Sequence, residues 1–189
     1  MSFQEEELLQ QLSDPKRRNS AFSGIVRNYQ ERMYWHIRKM VLSHDDANDI
    51  LQNTFMKAWH ALDNFRGDSR ISSWLYRIAT NETMTFLTSK RMRNISTMDD
   101  VEDMLLNQLH ADSYFSGNEA EMMLQEAILT LPEKQRLVFN MKYFDDLTYD
   151  QMEAILETSV GALKASYHHA VKKIEKYITE TKPMIENIR

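Results

Sequence analysis

The sequence predicts an all-α protein of two small helical domains, and three observations predict it. Glycine and proline are scarce, with four and three among 189 residues, whereas Leu, Met, Glu and Lys, which favour helices, are abundant. Apolar residues recur at spacings of three and four, which is the helical period. A chain of this length accommodates two modest cores, and its composition changes sharply near residue 94.

The composition also excludes several classes of protein. The chain has no cysteine, which rules out disulfides and thiolate metal sites. Its N-terminal stretch, MSFQEEELLQQLSD, is acidic and lacks an apolar signal region. No later run approaches the roughly 18 apolar residues that a membrane span needs. We therefore expect a soluble cytoplasmic protein.

Charge is strongly segregated along the chain. The net charge of -5 and the pI near 5.7 argue against a free-standing nucleic-acid binder, which usually carries a positive field. Residues 94–121 contain seven acidic residues and no lysine or arginine, whereas residues 65–93 hold six cations against two acids. Because residues 94–118 are acidic and weakly periodic, we predict a flexible linker there, with a short helix near 101–109 as an alternative within it.

The first domain, residues 1–93, contains three predicted helices. The first covers about 16–42, with an apolar stripe of Phe22, Ile25, Val26, Tyr29, Met33 and Ile37. Ser43, with Asp46 three residues later, is a candidate N-cap for the second helix. The apolar face of that helix is formed by Leu51, Phe55, Ala58, Trp59 and Leu62. A loop over 64–73 precedes the third helix, residues 74–93, whose apolar face is interrupted by Glu82.

The second domain, residues 119–189, contains a predicted helix-turn-helix. Pro132 suits the first position of one helix, and Thr148 with Gln151 forms a capping box at the start of the next. Ser159 offers another N-cap about eleven residues later. Two helices separated by roughly three residues have the spacing of a helix-turn-helix.

The helix that begins at Ser159 has two contrasting faces. Its apolar members are Val160, Leu163, Tyr167, Val171, Ile174 and Ile178, and its other face carries Lys164, Ser166, His168, His169, Lys172, Lys173 and Lys176. A basic face rich in hydrogen-bonding groups suits the major groove of duplex DNA, with an ordinary solvated face as the alternative. Adjacent histidines point about 100° apart and cannot share a metal ion. No nucleophile with a partnered base and no glycine-rich phosphate loop is present, so we expect neither catalysis nor a cofactor.

Arginines and aromatic rings are interleaved in the stretch DNFRGDSRISSWLYRIATN, residues 63–81. Phe65, Trp74 and Tyr76 supply faces on which unpaired bases stack, and the neighbouring arginines supply cations that follow a phosphate backbone, which favours single-stranded nucleic acid. The alternative is that Trp74 is a core residue and the arginines confer solubility. For Phe65 and Arg66, which lie in the loop, the functional interpretation is the better one.

Two segments of the chain resemble one family. The stretch DDANDILQNTFMKAWHALDNFRGDSRISSWLYRIATNETM resembles the second conserved region of bacterial sigma factors of the extracytoplasmic-function (ECF) group. There, D-x-x-Q-x-T-F-x-K-A-W precedes F-R-G and W-L-Y-R-I-A-x-N. The stretch LPEKQRLVFNMKYFDDLTYDQMEAILETSVGALKASYHHAVKKI resembles the fourth region of the same group. The two segments occur in the family's order, with its linker between them.

The resemblance implies an initiation subunit of RNA polymerase that reads the minus-thirty-five element as duplex and the minus-ten element as melted single strand. Polymerase docking on the clamp helices falls on Asp49, Gln52, Asn53, Phe55 and Trp59, although Phe55 and Trp59 suit a core equally well. The minus-ten contacts fall on Phe65, Arg66, Gly67, Ser69, Arg70, Arg77 and Asn81. The minus-thirty-five contacts fall on Ser159, Gly161, Ala162, Lys164, Ala165, Ser166, His168, His169 and Lys172. The implied partners are core polymerase, through its clamp helices and flap, promoter DNA and, as in many members, an anti-sigma factor.

This sequence departs from the family pattern at two places: the turn of the helix-turn-helix, and the helix that begins at Ser159, here called the reader helix, whose basic face is called the reader face. Glu157 stands where the turn usually has glycine, so it must accept a left-handed conformation or the turn must differ. Ser166 and His169 occupy positions that are commonly basic. Two other functions stay open: a stand-alone helix-turn-helix regulator, which leaves the loop at 65–73 unexplained, and a helical adaptor with no nucleic-acid role.

Overall fold

The computed structural model of the protein describes residues 7–8, 10–12, 14–65, 70–94, 106–107, 109 and 119–186. Over these residues the regular structure is helical, as predicted, and none of them forms a strand. The chain divides into two compact units. The main segment of the first, here called the proximal unit, is Met1–Thr88, and the second, the distal unit, contains Ser89–Glu153 and Thr158–Arg189. Within the described ranges no helix is long and apolar enough to cross a membrane.

The proximal unit is built from three helices and a short 3-10 turn. Helix α1 is Arg18–Val41, α2 is His44–Ala61 and α3 is Ile71–Asn94, and the 3-10 turn Leu62–Asn64 follows α2 directly. The predicted N-cap of α2 is confirmed, because the Ser43 hydroxyl oxygen accepts a hydrogen bond from the Asp46 amide at 3.2 Å. Helix α1 packs on α2.

The predicted apolar face of α2 is wrong in part. The residues of α2 that are buried are Ala47, Ile50, Thr54 and Ala58, whereas Leu51, Phe55 and Trp59 are only half-buried. Thr54 is accommodated in the core because its hydroxyl donates to the carbonyl of Ile50 at 2.8 Å, within its own helix. The core face of α2 is therefore turned by about one residue from the predicted one.

Helix α3 begins three residues earlier than predicted. Its first turn therefore lies within the segment 64–73, which sequence alone predicts as loop. Burial of Ile71, which is 2% exposed, anchors this turn in the core. Glu82, which interrupts the apolar face, is explained by Lys57 of α2, whose Nζ lies 2.5 Å from the Glu82 carboxylate. A second polar link crosses the core, where His36 Nε2 of α1 lies 3.0 Å from the Thr80 hydroxyl of α3. Half-buried Glu82 and buried Thr80 are thus each paired with a side chain of another helix, which offsets the cost of removing these polar groups from water.

The distal unit contains four helices between residues 119 and 186. They are Glu119–Leu129 (α4), Glu133–Tyr143 (α5), Tyr149–Leu156 (α6) and Val160–Glu186 (α7). Pro132 is the N-cap of α5 rather than its first residue, and α7 extends well beyond the predicted end near Ile178. The predicted linker at 94–118 lies almost wholly outside the described residues, although residues 106, 107 and 109 are helical.

The core of the distal unit joins α4, α5 and α7. Its buried members are Ala127, Ile128, Leu131, Phe139, Ala170 and Ile174, with Tyr167, Val171 and Ile178 packed against them. The last three, together with Leu163 at 1% exposure, confirm the predicted apolar face of α7. Because that face is fixed in the core, the opposite face of α7 is presented to solvent.

The helix-turn-helix and its caps are confirmed. Thr148 and Gln151 form the reciprocal capping box of α6, with bonds of 2.8 Å and 3.3 Å. The Ser159 hydroxyl accepts from the Ala162 amide at 3.4 Å at the start of α7. Residues 157–159 separate the two helices, as the spacing predicts.

Glu157 adopts a left-handed conformation, with φ of 52°, which settles the question raised by the missing turn glycine. Such a conformation costs a side-chain-bearing residue about 1–2 kcal/mol, and glycine loses part of that gain through backbone entropy. We expect Glu157→Gly to raise the free energy of unfolding by about 1 kcal/mol, measured by thermal and urea denaturation. Asp146→Gly is the matched control, because Asp146 has a similar φ of 51° but Asp tolerates it better. A lower melting temperature for Glu157→Gly than for the wild type would contradict the expectation.

Candidate nucleic-acid interfaces

In the proximal unit, an aromatic pair adjoins an exposed polar face of α3. The rings of Phe65 and Trp74 lie 4.7 Å apart between centroids with their planes tilted by 34°, and both side chains are half-buried. Arg70, Arg77 and Asn81 are exposed, and their spacing of seven and four residues places them on one side of the helix. Arg66, Gly67 and Ser69 lie outside the described residues. The described part of the predicted minus-ten set therefore combines an aromatic surface with cations and an amide.

The structure corrects one member of the predicted aromatic surface. Tyr76 is 2% exposed and its ring packs edge-on against His36 at 5.0 Å. It is a core residue and offers no face to a base. Trp74 is neither a fully buried core residue nor a freely exposed stacking surface, because it is half-buried and packs on Phe65.

In the distal unit, the predicted minus-thirty-five residues share the solvent face of α7. Ser159, Gly161, Ala162, Lys164, Ala165, His168, His169 and Lys172 are exposed and Ser166 is half-buried. A Cβ added at Gly161 would meet nothing within 4 Å, so the small side chains at the start of α7 leave a clear approach to its first two turns. A helix with small residues first and cations next suits entry into a major groove.

The sequence pattern selects neither Lys142 nor Tyr149, which lie beside this face. The ammonium groups of Lys142 and Lys164 both lie 5.7 Å from the centroid of the Tyr149 ring, a distance at which cation–π attraction holds a lysine in place. Lys142 also donates to the Leu147 carbonyl at 3.3 Å. Lys142 belongs to α5, so only the packed fold brings it near the reader face. Lys142 therefore adds a cation beside Lys164 of α7, which favours contact with a phosphate backbone.

Helix α2 carries a third candidate surface. Asp49, Gln52 and Asn53 are exposed, as a docking face requires. Met56, which no sequence pattern singles out, continues that face and is 52% exposed. A methionine this exposed is a signal that only the structure supplies, because periodicity alone does not show which apolar residues face water.

Phe55 and Trp59 line an open groove between α1 and α2. Its volume is about 430 Å³, and it is lined by Phe22, Val26, Gln30, Asn48, Leu51, Gln52, Phe55, Met56, Trp59 and His60. The Phe22 ring lies 5.1 Å from Trp59 and 6.5 Å from Phe55, in edge-on arrangements. An apolar floor with polar rims is the composition of a protein-docking surface. Phe55 and Trp59 thus serve the packing of α1 on α2 and also face the groove.

Over the described residues, no group of three or more His, Asp or Glu side chains is placed to hold a metal ion. The adjacent His168 and His169 rings lie 6.1 Å apart, tilted by 55°, on the solvent face of α7. The chemistry of the three surfaces is therefore that of binding: stacking on the aromatic pair, charge contacts on α7 and apolar contact in the groove beside α2.

Two family models match the chain. The model of sigma-70 region 2 matches residues 25–93, and the model of sigma-70 region 4 matches residues 121–174. The chain is 31% identical over 173 residues to the ECF RNA polymerase sigma-E factor of Escherichia coli (strain K12) and to that of Salmonella typhimurium (strain LT2), covering 84% of this chain and 86% of each relative. It is 29% identical over 181 residues to the RNA polymerase sigma-H factor of Pseudomonas aeruginosa, covering 92% and 93%.

Solved structures support the same fold. CnrH, in complex with the cytosolic domain of CnrY, has a TM-score of 0.66 at 21% identity, covering 93% of this chain and 97% of that one. The sigma factor RpoE, in complex with the anti-sigma factor NepR from Bartonella quintana, has a TM-score of 0.64 at 18% identity, covering 84% and 96%. The chain therefore belongs to the sigma-70 family, in its extracytoplasmic-function group, as an alternative sigma factor for transcription initiation rather than an enzyme.

Proposed function

We propose that this chain binds core RNA polymerase and directs it to promoters by reading duplex DNA with one domain and melted DNA with the other. Residues 1–93 form the domain for polymerase docking and minus-ten melting, 94–118 the linker, and 119–189 the domain for minus-thirty-five recognition. The observation that carries the proposal is the exposure of two chemically different surfaces, the Phe65–Trp74 pair with its polar face and the basic face of α7. The protein acts in the cytoplasm, where the polymerase is.

At the minus-ten element, the proximal unit captures an unpaired base. Stacking on an aromatic ring is worth about 1–3 kcal/mol per base and tolerates any sequence, so it offsets the cost of a few kcal/mol for unstacking a base from the duplex. Phe65 offers its outward face, because Trp74 covers the other side. Arg70 and Arg77 contact phosphates of the non-template strand, and Asn81 bonds a base edge.

At the minus-thirty-five element, the solvent face of α7 enters the major groove. Residues 159–165 reach the base edges, because the first turns of the helix carry small side chains that permit close approach. Lys164 and Lys172 contact the backbone or guanine edges, and Lys142 adds a phosphate contact from α5. Ser166 and His169 make this helix less cationic than is usual in the family, so its promoter preference differs.

Polymerase docks on the α2 face formed by Asp49, Gln52, Asn53 and Met56 and in the adjoining groove that contains Phe55 and Trp59. Docking resolves the conflict between an acidic chain and a DNA-binding role. Because polymerase supplies most of the DNA affinity, the free subunit has no need of a positive field. CnrH and RpoE are each seen in complex with another protein, which supports an anti-sigma partner for this chain as well.

The proposal is tested with purified full-length chain and core polymerase. We expect the two to co-elute in gel filtration and the holoenzyme to start transcripts at specific promoters, whose start sites are sequenced. Failure to co-elute, or transcripts without promoter specificity, would contradict the proposal. Tight sequence-specific binding to duplex DNA without polymerase would favour a stand-alone regulator instead.

Lys164→Ala should weaken binding of the holoenzyme to a duplex minus-thirty-five element by about fivefold, because it removes a cation from the centre of the reader face. Lys176→Ala is the matched control, since Lys176 lies on the same helix, is exposed, and sits 3.7 Å from Glu180. Fluorescence anisotropy over a range of salt concentrations measures both the affinity and its salt slope. Equal losses for the two variants would show that only net charge matters.

A further inference from the structure

Arg18, the first residue of α1, links the groove to the turn that precedes Phe65. Its Nη1 lies 2.6 Å from the Asp63 carboxylate, and its guanidinium carbon lies 5.1 Å from the centroid of the Trp59 ring. The Arg18 side chain is 26% exposed, so it is held between the ring and the carboxylate rather than extended into water.

Asp63 lies in the 3-10 turn Leu62–Asn64, and Phe65 is the C-cap of that turn. The Phe65 amide donates to the Leu62 carbonyl at 3.1 Å, which ties the Phe65 backbone to the turn. Phe65 then packs on Trp74 of α3. A continuous series of contacts therefore runs from Trp59 in the groove, through Arg18 and Asp63, to the aromatic pair.

The chemistry of Arg18 suits a residue that holds two neighbouring groups in a fixed geometry. A guanidinium is planar and always charged, and it can stack on a ring while its edge donates to a carboxylate. Its hydrogen bond to Asp63, followed by its charge, lowers the pKa of that carboxyl. Asp63 is itself highly exposed, and an exposed ion pair adds little to stability. The contact thus fixes a geometry more than it stabilises the fold.

We propose that Arg18 is a positioning residue for minus-ten melting, which holds the Phe65–Trp74 pair in register with the polymerase-docking groove. The inference rests on the function proposed above. Arg18 lies outside residues 25–93, the segment matched by the region 2 model, so the family comparison assigns it no role. A polymerase seated against Trp59 would hold Arg18 more firmly and so favour the turn that presents Phe65 to an unpaired base.

The test measures promoter opening by the wild-type holoenzyme and by variants, using a fluorescent base analogue in the non-template strand of the minus-ten element. Arg18→Ala and Asp63→Asn should each slow opening about tenfold, and the double variant should be no slower than either single one. Arg18→Lys, which keeps the charge without the planar stack, should recover only part of the rate. Arg17→Ala is the matched control, because Arg17 is its exposed neighbour and lies 3.7 Å from Asp14.

Two further measurements separate positioning from a purely structural role. In Asp63→Asn, the affinity for core polymerase should change less than twofold. The melting temperature of this variant should change by less than a few degrees, because the side chain is exposed. A promoter with a pre-opened minus-ten region should remove most of the defect. The inference is overturned if Arg18→Ala opens promoters as fast as Arg17→Ala, or if the Arg18 and Asp63 defects multiply. A wild-type holoenzyme that opens no promoter overturns the proposed function as well.

Discussion

Met56→Asp is expected to weaken binding of this sigma factor to core RNA polymerase by about 30-fold or more, which is the loss typical of an interface hot spot. Met56 is 52% exposed on α2, next to the apolar floor of the groove formed by Phe22, Phe55 and Trp59. A thioether there is available for apolar contact, whereas a carboxylate would be buried without a partner when polymerase docks. Titration of labelled chain with core polymerase measures the change.

The fold should not be affected, because the side chain of Met56 already faces water. Asn28→Asp is the matched control: it adds the same carboxylate at an exposed position of α1 that does not line the groove. Both variants should unfold within a few degrees of the wild type. If Asn28→Asp weakens polymerase binding as much as Met56→Asp, the loss reflects net charge and the groove is not the docking surface.

The features predicted well from sequence are those that depend on neighbours along the chain. The caps at Ser43, at Thr148 with Gln151 and at Ser159 are all confirmed, because a cap needs only a side-chain oxygen two or three residues before an amide. The left-handed Glu157 is one of the two outcomes that the sequence allows, since the helix spacing leaves room for only a short turn.

The features that sequence could not supply depend on residues far apart in the chain. Periodicity alone does not decide between two overlapping faces of α2. Thr54 is not expected in a core from its polarity, and its burial is explained only by the hydrogen bond from its hydroxyl to the Ile50 carbonyl. Glu82 conflicts with a core face until Lys57, 25 residues earlier, is placed beside it. Tyr76 carries the same aromatic signal as Phe65, and only packing against His36 separates a core ring from a surface one.

The candidate site shows the same division. Asp49, Lys164 and Asn81 are exposed, so each is accessible for the role that the resemblance implies, and that role stays a prediction. Met56 and Lys142 were missed, since each gains its place from tertiary packing. Arg18 was missed for a further reason: its partner Asp63 lies 45 residues away, and Arg18 itself lies outside the two segments that resemble the family.

Phe65→Ala should reduce the rate of promoter opening by about 50-fold, within the 1–3 kcal/mol that base stacking is worth. The Phe65 ring packs on Trp74 with 4.7 Å between centroids, and without it a base leaving the duplex loses the ring on which it is proposed to stack. Opening is followed through a fluorescent base analogue in the minus-ten element. Binding of the closed duplex and of core polymerase should stay unchanged, because neither involves an unpaired base.

Two conservative variants distinguish base stacking from loop packing. Phe65→Tyr keeps the ring and should retain opening within about twofold of the wild type. Phe65→Leu keeps apolar contact with Trp74 but lacks a flat π-face, so it should be nearly as slow as Phe65→Ala. If Phe65→Leu opens promoters at the wild-type rate, Phe65 serves only to pack against Trp74 and the capture of a base must occur elsewhere. With a promoter whose minus-ten strands are already separated, the opening rates of the three variants should differ less. The free-energy cost of unstacking a base, which stacking on Phe65 offsets, has then already been removed.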